Sequence, residues 1–545
     1  MTGAAPDPVT HALTGVWPLI MLVSALLTFP VSALLLWFYR RAVLRRMSES
    51  RKGEMPATET IAETDAPPKP LRFVSLGANA SPTTTLAGPW AAAVVYLAAG
   101  AAYALIMTAA WFLATHDLQI GPIKTFFLFW NFYWPAILAV ILVAAKDRAQ
   151  KIWIVVGYVL IYVALVVALL ARSPDFTWSQ AALFWIVENG PSTVLLYLFL
   201  MRRIRSVGPL VLVFAIIALL GAQLAISLLG ATEARMLAAA KIGTRMGLGG
   251  SGVVAVTLLL GLVLFAVFAW LVLRWIGLRY AAKKFSDESL TVDVIFVLFG
   301  IIVSVDLAFE HWTWIGTGLV AFVAYKVVAQ MGFRFLRRTP SSKRLLLLRV
   351  FALGKRSERL FDAMRKAWLR GGAISMIAGP DLVTSAVTPH EFLGFLSGKL
   401  ARTFVCDDAD LSRRVAAIDS RPDPDGRYRI AEFFCRADTW QPTMRRLVAE
   451  SDAVLMDLRS FSTSNRGCVY ELGRLLDTID LSRVVFITDK TTDRPFLEMT
   501  LQHQWSSLAS ESPNRFVSDP SARFFEVHGP TAAETRALVG HLASS

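Results

Sequence analysis

Apolar residues come in long blocks over the first 331 positions and in short alternations with polar residues after position 340. Two kinds of element are therefore predicted in one chain. The first block, residues 16–37, is long enough to cross a bilayer, for which about 20 residues suffice. Arg40, Arg41, Arg45 and Arg46 follow it at once. The run exceeds a signal-peptide core and precedes no small-residue cleavage pattern, so it reads as an uncleaved anchor. Eight further runs of near spanning length lie at 91–114, 126–145, 152–171, 181–201, 209–229, 253–273, 294–309 and 312–331. Residues 51–89 are polar and rich in Pro, Thr, Ala and Glu. They predict a mostly disordered cytoplasmic linker, within which 71–76 is a short piece able to dock.

After position 340 strand and helix patterns alternate. Strands are predicted at 344–353, 373–378, 428–435, 453–458, 483–488 and 523–528, and helices at 357–370, 390–404, 440–450, 467–476, 495–508 and 531–543. Residues 421–426 read as a turn. Such alternation implies a parallel sheet covered on both faces. The predicted domains are an anchor (1–39), a linker (40–89), a bundle of eight further spans (90–331) and a cytosolic α/β domain (340–545).

Charge adds orientation. The formal net charge is +14, which invites a nucleic-acid reading. The Lys and Arg, however, flank the apolar runs, as in membrane proteins, and no nucleic-acid-binding motif is present, so a nucleic-acid partner is set aside. Basic clusters follow the first, third, fifth, seventh and ninth runs. They place the N-terminus outside and the C-terminal domain in the cytoplasm of the inner (plasma) membrane, with the lipid bilayer as partner. The loop at 231–251, predicted outside, is the exception, with Arg235, Lys241 and Arg245. Cys406, Cys435 and Cys468 have no zinc spacing and suit a reducing cytosol; no metal site is predicted.

Polar residues inside apolar runs are candidates for function. Glu188-Asn189-Gly190-Pro191 interrupts the fifth span, with Glu188 roughly 10 Å in from its outer end. Asn131 and Pro135 lie in the third span; Asp306, Glu310 and His311 close the eighth near the outer interface; and Lys326 is expected to snorkel to the cytoplasmic surface. Glu188 reads equally as a functional acid or as a residue paired with Asn131 or another helix to hold the bundle together.

The α/β domain is organised around residues 451–477. A buried-strand pattern runs into a loop carrying Ser460, Ser462, Ser464 and Asn465, which favour turns and helix N-caps, and then into a helix with Cys468, Leu472, Leu475 and Leu476 on one face. Glu471 sits on that apolar side, near the N-terminal end of a helix that follows a strand, where open α/β sheets bind ligands. Burial would raise its pKa and suit it to acid/base work or to stabilising positive charge; the alternative is a surface Glu in a favourable first turn. Other groups predicted at that sheet edge are Phe351, Gly354 and Lys355 after the first strand, Gly379 and Asp381 after the second, Asp457 and Ser460 after the fourth, and Asp489 after the fifth. Gly354-Lys355 is no P-loop and reads equally as a strand-to-helix turn; Asp457 and Asp489 read equally as turn caps.

Ser-Asp-Ala-Val-Leu-Met-Asp-Leu-Arg, the serine-rich loop and Cys-Val-Tyr-Glu-Leu resemble the central strand and following helix of Toll/interleukin-receptor (TIR) domains. Cys468, Glu471 and Leu472 match the Cys-x-x-Glu-Leu helix of that family. Gly467 stands where the family usually has Trp, and Arg349 where it has an acidic residue before Val350; residues 407–440 have no counterpart. Gly-Cys-Val-Tyr-Glu-Leu-Gly is also similar to a helix of nucleoside deoxyribosyltransferases. The resemblance implies a Rossmann-like (TIR-like) fold, an NAD-like nucleotide contacting Phe351, Gly354, Lys355, Gly379, Asp381, Asp457, Ser460 and Cys468, and Glu471 as catalytic carboxylate in cleaving the N-glycosidic bond of NAD, in signalling or defence. NAD would be the substrate, with no cofactor required. Two other functions stay open: a TIR-like module that self-associates into a homo-oligomer beneath a membrane sensor, and a transporter or channel regulated by the cytosolic domain.

Overall fold

The computed structural model describes residues 8–49, 69–77, 89–116, 121–145, 148–173, 176–199, 207–308, 310–336, 343–349, 364, 367–379, 389–418, 421–529 and 531–544. The chain forms two compact units, one of residues 1–38, 90–335 and 387–393, the other of residues 39–89, 336–386 and 394–545.

The first unit is helical, and within the described residues the predicted apolar runs fall on helices, 126–145 on two and the start of 312–331 on a 3-10 helix, but they make fewer candidate spans than the nine expected, the helix over the fifth run not being among them. The α-helices are α1 (Pro8–Met47), α2 (Pro89–Ala114), α3 (Pro122–Phe132), α4 (Trp134–Val143), α5 (Arg148–Leu170), α6 (Trp178–Phe199), α7 (Gly208–Gly230), α8 (Glu233–Arg245), α9 (Gly250–Ala281), α10 (Asp287–Ala308) and α11 (Thr317–Leu336). Among the described residues seven helices are long and apolar enough to cross a membrane, or eight if α3 and α4, bent by 41° at Tyr133, are one span. Leu260, Leu264, Val267 and Leu271 of α9 are exposed, a belt that water would penalise and lipid would not. The chain is a membrane protein. Between helices, small residues permit close approach: a Cβ on Gly261 would stand 2.5 Å from the Gly221 carbonyl oxygen, and one on Gly318 2.4 Å from that of Gly300.

Three sequence expectations change here. Glu188 to Pro191 does not interrupt α6, which stays helical throughout: a proline removes one N–H, and the flanking bonds suffice. Lys326 is not a lone charge: its Nζ lies 2.7 Å from Asp293 Oδ2, and Tyr325 donates to Asp293 Oδ1 (3.0 Å). Asp293 escaped notice because it precedes the apolar run. The loop at 231–251 contains the 13-residue helix α8, capped by Thr232.

The second unit holds a parallel seven-stranded sheet, ordered β1-β7-β6-β5-β2-β3-β4. The strands are β1 (Arg72–Ser75), β2 (Lys343–Arg349), β3 (Gly372–Ile377), β4 (Ile430–Phe433), β5 (Ala453–Asp457), β6 (Val484–Thr488) and β7 (Ser521–Glu526). β5 pairs with β2, Arg349 opposite Asp457, so the chain crosses back over β3 and β2 before continuing through β6 and β7. Alternate side chains fill two cores. Leu346, Leu348, Val454 and Met456 face one; Leu345, Leu347, Ala453 and Leu455 face the other. The edge strand β1 comes from the stretch read as a linker; its residues 72–75 pair with 521–524, and Trp505 Nε1 donates to the Lys69 carbonyl (2.8 Å).

The remaining helices are α12 (Pro389–Leu396), α13 (Asp408–Ala416), α14 (Trp440–Ala449), α15 (Arg466–Thr478), α16 (Arg494–Ser506) and α17 (Ala532–Ala543). The helix expected over 390–404 ends at Leu396, because Gly398 takes a left-handed φ of +70°. Residues 407–440, which lacked a counterpart, supply α13 and β4.

Candidate functional site

The order of strands reverses between β2 and β5, and four charged side chains converge at their carboxyl ends. Arg349 ends β2, Asp457 ends β5, Arg459 follows it, and Glu471 comes from the second turn of α15. All four are buried, which for charged groups requires pairing. Arg459 supplies one pair: its Nε donates to Asp457 Oδ1 (2.8 Å) and its NH2 to Oδ2 (2.7 Å), a two-pronged bond. The Asp489 charge reinforces Arg459.

Glu471 lacks such a bond. It is 4% exposed, and its Oε2 has no hydrogen-bond partner among the described residues. Burial pushes its carboxyl up to about 8, and the Arg349 charge pulls in the other direction without restoring the ordinary value. The apolar spacing of α15 causes this placement, since Cys468, Leu472, Leu475 and Leu476 are all buried and carry residue 471 inward with them.

The consequence for stability has a defined sign. The unfolded carboxyl takes a proton near 4.5 and the folded one near 8. The proton-linked stabilisation is full below 4.5 and is lost as pH rises through 8. At ~1.4 kcal/mol per pH unit the loss is on the order of 4–5 kcal/mol. Hydrogen exchange of the β2 and β5 amides in the full chain should quicken across this window. Glu471→Gln should flatten the dependence; an equally steep curve in the variant would assign it to other groups.

The loop after β5 is laced to the loop after β6. Thr492 Oγ1 donates to the Leu458 carbonyl (3.0 Å), the Asp493 amide to the Phe461 carbonyl (3.0 Å), and Ser460 Oγ lies 2.9 Å from Thr491 Oγ1. Ser460 adopts a φ of +60°, a left-handed conformation that favours glycine and costs a serine about 1 kcal/mol or more. Asp457 and Asp489 also cap turns, accepting from the amides of Arg459 (3.3 Å) and Thr491 (2.9 Å). Asn465 occupies the N-cap of α15, but its Oδ1 accepts from the Ser462 amide (2.9 Å), so no side chain caps that helix.

The structure thus brings Glu471, Arg349, Asp457 and Arg459 together. Cys468 lies in the core beside them, its thiol pushed up by burial and then by the Glu471 and Asp457 charges. Ser460 is half-buried and spends its hydroxyl on Thr491. Gly379 is buried just after β3, one strand beyond β2. Phe351, Gly354, Lys355 and Asp381 lie outside the described residues. Arg459 and Arg349 were missed as site residues; the first follows the strand in the sequence quoted above, and a charge at a strand end beside an acid was its only signal. In the membrane unit, Asn131 Oδ1 accepts from Asn189 Nδ2 (3.2 Å), and Glu188 beside it in sequence is buried.

Compared with protein-family models, with curated proteins and with solved structures, the chain matches none. The class defined by its own geometry is a multi-helix membrane protein with a parallel α/β unit.

Proposed function

We propose that the α/β unit binds an NAD-like nucleotide where the strand order reverses and hydrolyses its N-glycosidic bond, with Glu471 as the catalytic carboxylate. The observation that carries this reading is Glu471 itself, a buried carboxyl with an oxygen lacking a hydrogen-bond partner among the described residues, at the carboxyl side of a parallel sheet. A purely structural residue there would be apolar, since burying the acid costs stability above neutral pH. Two features support the nucleotide. The strand order β4-β3-β2-β5-β6-β7 supports a doubly wound, Rossmann-like reading, in which ligands would sit at the β2/β5 reversal. The N-terminus of α15, uncapped by a side chain, suits a phosphate.

In this mechanism the ribose–nicotinamide C–N bond breaks and its electron pair leaves with nicotinamide. The ionised Glu471 carboxylate stabilises the positive charge developing on the ribose, as carboxylates do in glycoside hydrolysis. Water then adds to the same carbon and loses a proton. Purified full-length protein incubated with NAD should release nicotinamide, followed by chromatography. The full chain is the material of choice, because a fragment beginning at residue 340 lacks β1. An unaltered nucleotide pool with self-association of the protein would replace this reading by the interaction module.

We place the protein in the inner membrane with the N-terminus outside and the α/β unit in the cytoplasm, on the strength of the basic clusters. A reporter fused after Ser545 should be cytoplasmic, and one inserted at 231–251 external. An external C-terminus would overturn the orientation.

A further inference from the structure

The connection between α7 and α9, two of the helices long and apolar enough to cross a membrane, is itself the helix α8. Only Ala231 and Thr232 separate α7 from α8, and residues 246–249 separate α8 from α9. Such connections reach at most about 7 and 14 Å when fully extended, so α8 stays at the surface of the bilayer.

Both ends of α8 are fixed. Thr232 Oγ1 accepts from the Arg235 amide (3.3 Å), and Arg235 Nη1 donates to the Leu228 carbonyl in the last turn of α7 (3.2 Å). Gly247, at a left-handed φ of +71°, stops the helix, and the Leu248 amide closes back on the Gly243 carbonyl (2.8 Å). Gly243 is the buried contact of α8, where a Cβ would collide with Val253 of α9. The rest of the helix is open.

What it exposes is mixed in kind. Met236, Leu237, Ile242 and Met246 are large apolar side chains that water penalises. Leu228 before them and Val254 after them, where the exposed belt of α9 begins, are exposed too, so the apolar surface continues from one span through α8 to the next. Among these side chains stand three exposed cations, Arg235, Lys241 and Arg245, against one acid, Glu233. Lys241 and Arg245 meet no carboxylate among the described residues. Four residues apart, they share one side of the helix, with roughly 5–6 Å between Cβ atoms, and Leu237 lies one turn before them in the same row.

We propose that α8 is an interfacial helix that docks on anionic phospholipid, with Lys241 and Arg245 holding a headgroup phosphate and Leu237 beside them against the acyl chains. Helices that present basic and long apolar side chains together lie at this boundary, their stems along the lipid and their charged heads at the phosphates. A free phosphate would satisfy the cations and leave the apolar side chains in water. A second copy pairing through this face would set the cations against their own kind. The inference concerns the membrane unit alone and is independent of the NAD reading and of which leaflet α8 meets.

The test is amide hydrogen exchange of α8 in the purified full chain, one copy per lipid nanodisc, in phosphatidylcholine alone and with phosphatidylglycerol added, at equal ionic strength. A docked helix must leave the surface before it exchanges, so lipid that binds the docked form slows exchange. The amides of 236–246 should exchange on the order of tenfold more slowly with phosphatidylglycerol, from two cations near an anionic surface. High salt should erase the difference by screening. The double variant Lys241→Gln with Arg245→Gln should erase it as well; both side chains are exposed, so the variant keeps the fold. Equal exchange in the two lipids for the wild type would overturn the proposal without recourse to any variant. So would a difference intact in the double variant, equal protection by inorganic phosphate in phosphatidylcholine discs, or protection that appears only with two copies per disc.

Discussion

Glu471→Gln is expected to lower NAD turnover at least about a hundredfold while leaving the fold in place. The amide occupies the same space but lacks the charge that meets a developing ribosyl cation; losing such a contact costs ~3 kcal/mol or more in the barrier. The pH profile provides a second readout. Burial holds the carboxyl at about 8. Only about a tenth is therefore ionised at pH 7. The rate should rise with pH up to about 8 and then level off, while stability falls over the same interval. A residual rate in the Gln variant should lose that limb. Wild-type turnover in the variant would make Glu471 structural and move the function to self-association.

Arg459→Met should destabilise the α/β unit by about 3–5 kcal/mol at neutral pH, the largest stability effect expected of a single change here. The reason is the partner left behind: Asp457 is 2% exposed and would keep its charge without the two-pronged bond. The paired variant Arg459→Met with Asp457→Asn removes the orphaned charge and should recover much of the loss. Urea unfolding, read through exchange of the β5 amides, measures both. A single variant as stable as wild type would show the pair to be dispensable and the buried cluster to be held by Asp489 and Arg349 instead.

Much of the fold was legible along the chain because it rests on periodicity. Apolar runs of about 20 residues mark membrane helices, and an apolar strand followed by helical spacing marks a β-α unit wherever it occurs. Glu471 was legible for the same reason: its position in α15 puts it on the face of Cys468 and Leu472. Of β1 only a docking piece at 71–76 was legible, not a strand, since four residues in a polar segment acquire one only when β7 offers an edge. Asp293 was not, since its partner Lys326 lies 33 residues on, in another helix.

By itself the sequence determined which segments are apolar, which alternate, and which face of each helix turns inward, because these follow from local spacing and the cost of leaving apolar surface in water. Tertiary structure alone decided which charges meet. Arg349 with Asp457 and Glu471 with Arg349 are separated by over 100 residues in each case. Electrostatic coupling depends on distance and burial, which strand order and helix packing set and no local pattern records.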